Sequence, residues 1–98
     1  MYILLIKIGV ALKIYMEELF RDNLGRFDIE SEVNFGKVTA VREHYLVNTP
    51  ALKNKGGCYV TSIFSNTTGE QIIRKHYKSD YARSRNLSKL IDECEEQI

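Results

Sequence analysis

From Phe27 the chain alternates, with Phe27, Ile29, Ser31, Val33 and Phe35 on one side and Asp28, Glu30, Glu32 and Asn34 on the other. A period of two is the signature of a strand with one wet face. Gly36 then permits a turn, and Val38 to Val47 is rich in β-branched and aromatic residues, so a hairpin is expected. A turn centred on Phe35 and Gly36 sets Val33 against Val38, Ser31 against Ala40 and Ile29 against Arg42. The apolar alignment then fails near Arg42, where a bulge would return Tyr45 and Val47 to the core. Upstream, Tyr2 to Ile8 is a nearly continuous apolar run that suits a buried strand. Leu12, Tyr15, Met16, Leu19 and Phe20 follow at helical spacing, with Asn23 and Gly25 as the stop.

Thr49 to Gly57 holds the one proline, two lysines and a Gly-Gly pair, and reads as the longest loop. Cys58 to Phe64 and Gln71 to Tyr77 flank Asn66-Thr67-Thr68-Gly69, which suits a second hairpin. A helix from Glu70 onward is the rival, because Thr67 and Glu70 match a capping box. Leu87, Leu90, Ile91, Cys94 and Ile98 recur at three- and four-residue steps, with Tyr81 and Ser84 extending the face and Ser79 or Asp80 as N-cap. The expected order is β-α-β-β-β-β-α: a single α+β domain over residues 1–98, mainly an antiparallel meander with two amphipathic helices packed on one face.

With 98 residues, 44% apolar content and a net charge of +1, the chain has one core and no global field to draw it onto a polyanion. Cys58 and Cys94 fit neither a disulfide framework nor a zinc pattern, and reduced thiols point to a cytoplasmic setting. Met1 to Leu12 is too short to span a membrane and lacks the marks of a secretory leader, so no membrane association is expected.

Charge placement is more informative than net charge. Residues 71–91 carry Arg74, Lys75, Lys78, Arg83, Arg85 and Lys89 against Asp80 alone, a local net of +5. Residues 92–98 then carry Asp92, Glu93, Glu95 and Glu96 with no cation. Cations at the start of the last helix and carboxylates at its end oppose the macrodipole, relieved in part by Lys89 and Glu93 at i, i+4. Arg83 and Arg85 at the helix start would clamp a phosphate, with Arg74, Lys75, Lys78 and Lys89 extending the path. If Tyr59 opposes His76 and Thr61 opposes Arg74, then Tyr59, Arg74 and His76 share an exposed face, and Tyr59 or Tyr81 would stack on bases. The leading expectation is a non-enzymatic protein whose basic C-terminal region engages nucleic acid, single-stranded for preference, or another polyanion.

The first hairpin points elsewhere, because Asp28, Glu30 and Glu32 line an exposed face, with Glu43 set opposite Asp28. The alternative expectation is a small inhibitor or adaptor, of the kind mobile elements encode, that docks a protein through separated acidic and basic surfaces, with Asp28, Glu30 and Glu32 at the contact. Self-association through exposed sheet edges, giving a homodimer, is a third. Catalysis fares worst: Cys58 is expected on the core face and His76 on the other, and no phosphate loop, nucleophile elbow or dinucleotide fingerprint occurs. Neither a metal nor a cofactor is expected.

Overall fold

The computed structural model describes residues 24–98; the expected strand at 2–8 and helix at 12–20 lie outside them. Four antiparallel strands form one sheet in the order of the chain, β1 (Phe27–Asn34), β2 (Val38–Tyr45), β3 (Tyr59–Ser65) and β4 (Gln71–Tyr77), the expected meander. A short helix, α1 (Pro50–Lys55), interrupts the connection from β2 to β3, and a long one, α2 (Asp80–Glu96), follows β4. Residues 71–77 are strand, so the rival helix from Glu70 is excluded.

The first hairpin turns at Phe35-Gly36-Lys37, with the Phe35 N–H donating to Val38 O at 2.8 Å and Gly36 at φ +95°. Asn66, almost fully buried, staples this turn to the second one. Its amide donates to Asn34 Oδ1 and to Gly36 O, and its Oδ1 accepts from the Thr39 hydroxyl at 2.6 Å. Val33 pairs with Ala40 and Ser31 with Arg42, two positions from the expected register. The irregularity does fall opposite Arg42, but the extra residue is Glu30 in β1. Tyr45 is buried as expected, whereas Val47 is exposed beyond the end of β2.

Each hairpin carries one such shift in its edge strand, because β4 also has an extra residue, Ile72, between the Ile63–Ile73 and Phe64–Gln71 pairs. Beyond Ile72 the pairing runs Ser62 to Arg74, Val60 to His76 and Tyr59 to Tyr77, one step from the expected register. A one-residue step moves every side chain to the opposite face. Arg74 and His76 therefore share a face with Val60 and Ser62, and Tyr59 is on the other side of the sheet.

Two clusters build the core, one on each side of the sheet. On one side Leu87, Leu90, Ile91 and Cys94 of α2 cover Val38, Ala40, Ile63 and Ile73. On the other, Phe27, Tyr45, Cys58 and Val60 receive Leu52 from α1. Thr49 caps α1, accepting the Leu52 N–H at 3.3 Å, and Pro50 begins it. Gly56 caps the far end, and at the next residue, Gly57 at φ +136°, a Cβ would stand 2.0 Å from Tyr77 O, so the backbone of β4 packs directly on the glycine. The helix α2 begins at Ser79, whose hydroxyl accepts the Ala82 N–H at 3.1 Å. Its buried stripe is Arg83, Leu87, Leu90, Ile91 and Cys94. Tyr81 and Ile98, expected on that stripe, are exposed.

Candidate functional site

Arg83, the centre of the expected anion clamp, is 1% exposed and already occupied by the protein's own oxygens. One Nη donates to Glu43 O at 2.6 Å; the other donates to Asp80 Oδ1 at 2.7 Å and to Glu30 Oε1. Its guanidinium lies 5.2 Å from the centroid of the Tyr59 ring, which stacks on His44 at 4.2 Å. Glu30 reaches it because the bulge turns both Glu30 and Ser31 toward the helix side. Arg42 adds a second bond to Asp80 Oδ1 at 2.8 Å and one to Ser84 Oγ at 2.9 Å. The Arg83 hydrogen bond, with help from Arg42, holds the Asp80 carboxyl below its ordinary range. The start of α2 is thus bolted to β1 and β2, and the expectation that Arg83 receives an external phosphate is corrected: both Nη groups are bonded internally, and its Nε, which meets no acceptor, is buried.

Arg74 is corrected for the same reason. One Nη donates to Glu43 Oε1 at 2.6 Å and to Ser62 Oγ at 2.8 Å, and the other to Tyr45 Oη at 2.8 Å. Its guanidinium stands over the Phe27 and Tyr45 rings at 5.5 and 5.8 Å. Burial lowers its pKa to about 10 and pushes the fully buried Glu43 up to about 8, against the opposing pull of Ser62 and Arg83. Glu43 Oε2 meets no donor. Glu43 faces Ile29 across the hairpin; Asp28 faces His44, so the expected like-charge pair is absent.

The grouping of Tyr59, Arg74 and His76 on an exposed face does not form. Tyr59 is half-buried against His44 on the helix side, while Arg74 and His76 lie on the opposite side. His76 is half-buried, its Nδ1 2.9 Å from Gly57 O, and burial lowers its pKa. The register also places Cys58 and His76 on the same side of the sheet, against expectation; Cys58 is buried beside Leu52. Asp28, Glu30 and Glu32 do not form one acidic face, since the bulge leaves Glu32 on the side away from α2 and Glu30 on Arg83. Of the expected anion-binding residues, Lys75, Lys78, Tyr81, Arg85 and Lys89 remain exposed. Lys75 and Lys89 line a small cleft at the β4 edge, with Lys75 Nζ 5.9 Å from the Tyr77 ring centroid. Glu93 lines the same cleft, but no ion pair joins it to Lys89 among the described residues.

An open concavity lies on the other flank of α2, and patterning did not single it out. Among the described residues the helix rests mainly on β2, β3 and β4 and meets β1 through Arg83 and Glu30. The groove between α2 and β1 is lined by Phe35, Ser84, Leu87, Ser88, Ile91, Asp92 and Glu95. Phe35 and nearby Val33 on β1 are 43% and 45% exposed. An apolar floor with two carboxylates on its rim suits a ligand that brings apolar and cationic groups together. Among the described residues, no group of three His, Cys, Asp or Glu side chains is placed to hold a metal, and no helix is long and apolar enough to cross a membrane. No family model, curated protein or solved structure matches the chain.

Proposed function

We propose that this chain is a small non-enzymatic docking protein whose contact surface is the groove between β1 and α2 together with the adjoining outer face of α2. One observation carries the reading: Phe35 is left open beside Leu87 and Ile91, under the carboxylates of Asp92 and Glu95. Apolar surface in such a setting marks contact sites, and the carboxylate rim selects cationic partners. Engagement of a polyanion by residues 74–89 is the weaker reading, because Arg74 and Arg83 are bonded internally.

The probe is a short helical peptide of leucine and lysine, titrated at low protein concentration and followed by amide chemical shifts. Shifts centred on Phe35, Ser88 and Asp92 that vanish in Phe35→Glu are the expected result. Saturable binding of a single-stranded oligonucleotide that disappears in Lys75→Ala with Lys89→Ala, with no peptide binding at the groove, would overturn it in favour of the polyanion.

A further inference from the structure

We infer that the partner seated on this face is a second copy of the chain, the two α2 helices packing antiparallel about a two-fold axis at Ser88. The inference rests on the docking reading above and names its occupant.

The charge order of α2 is the first ground. Its last turn has no basic residue, and Asp92, Glu93, Glu95 and Glu96 make no ion pair among the described residues. Carboxylates there are disfavoured by the helix's own dipole. A second α2 laid antiparallel offsets this, bringing the exposed Arg85 of one helix to the acidic end of the other.

The second ground is where those residues lie around the helix. With successive residues about 100° apart, Tyr81, Arg85, Ser88, Asp92 and Glu95 form a continuous stripe. Ser88, Asp92 and Glu95 of that stripe line the groove toward β1. The stripe is self-complementary when reversed on its centre. With Ser88 opposite Ser88 of the second copy, Arg85 meets Asp92 of the second copy and Tyr81 meets Glu95 of the second copy, each contact occurring twice. A two-fold interface requires this self-matching. Tyr81, 72% exposed on a helix otherwise anchored by Arg83, gains a contact there.

Sheet-edge pairing explains less, because both edge strands carry a bulge, at Glu30 and at Ile72, a device that blunts edges against added strands. Serines at 84 and 88 let two helices approach closely, and the apolar floor at Phe35, Leu87 and Ile91 supplies surface to cover.

Sedimentation equilibrium over a concentration series tests the pairing. A reversible monomer–dimer equilibrium is expected, weakened about tenfold or more by Arg85→Glu or by Asp92→Arg alone. Both reversals in one chain restore it, since each new glutamate then meets a new arginine across the axis. Ser88→Cys is expected to form a disulfide-linked dimer under mild oxidation, whereas Asn86→Cys, on the β4 side of α2, is not. A monomer at every concentration, a double reversal that fails to recover, or equal cross-linking from both positions overturns the second copy as occupant. If the leucine-lysine peptide still binds the groove of such a monomer, the docking reading stands without the dimer; if it does not, both fall.

Discussion

Three oxygens of the chain converge on the Arg83 guanidinium at 1% exposure; truncating it would remove the donor on Glu43 O and the tie of α2 to β1, while the exposed Glu30 and Asp80 would keep water and Arg42. Losing the hydrogen bonds of a buried charged donor to partners that stay hydrated costs about 1–3 kcal/mol. Arg83→Ala is therefore expected to lower unfolding free energy by about that much in urea denaturation, whereas exposed Lys78→Ala changes it by less than about 0.5 kcal/mol. Glu43 makes a second prediction. Burial raises its pKa to about 8 in the folded state against an ordinary carboxyl value of 4.5. Between those values the folded chain holds the proton that the unfolded chain has lost, so this residue's contribution to stability falls as pH rises. His76, with a lowered pKa, contributes in the opposite sense below about pH 6.5. The difference between the wild type and Glu43→Gln isolates the carboxyl: the wild type should lose stability relative to the variant from about pH 5 to about pH 8. Composition distinguished neither residue. Arg83 and Arg85 look alike in a charge tally, although Arg83 stands one turn before Leu87 and so continues the stripe of Leu87, Leu90, Ile91 and Cys94. A reading that follows only apolar letters passes over a buried arginine.

Elements were legible where periodicity was unbroken and illegible where a single extra residue intervened. The first three strands and the core positions Leu87, Leu90, Ile91 and Cys94 of the last helix follow from pattern alone, whereas the pattern of the fourth strand also admits a helix from Glu70 as its rival. The alternation of Phe27, Ile29, Ser31 and Val33 looks like one face, yet the extra residue at Glu30 sends the first two and the last two to opposite sides. In the second hairpin the expected pairing holds at the turn and slips at Ile72, where two adjacent isoleucines offer no preference for either register. The helix α1 was missed although its signal was present, since Thr49 followed by Pro50 is an N-cap followed by a residue suited to the first helical position. Gly57 follows the Gly56 cap at its far end. Gly57→Ala puts a methyl 2.0 Å from Tyr77 O and an L side chain at φ +136°, so a loss of at least about 2 kcal/mol is expected in thermal or urea melts. Gly36→Ala, where a Cβ meets open space, should cost only the left-handed backbone penalty of about 1–2 kcal/mol.

Across the whole molecule, a sequence-level count of charges and the exposed charge map tell different stories. Of the six cations between residues 71 and 91, Arg74 and Arg83 are consumed in holding the fold together, and the groove beside α2 is framed by carboxylates instead. That groove was not legible in the sequence because it arises from an offset: α2 sits over β2 to β4, and the ends of Val33 and Phe35 project past it. The same two-sided construction has a practical corollary. Cys58 is sealed beneath α1 and Cys94 on the inner face of α2, each a free thiol in a different layer of the core. The protein thereby contains a native chemical probe for each layer, able to report whether the two halves loosen together or one ahead of the other.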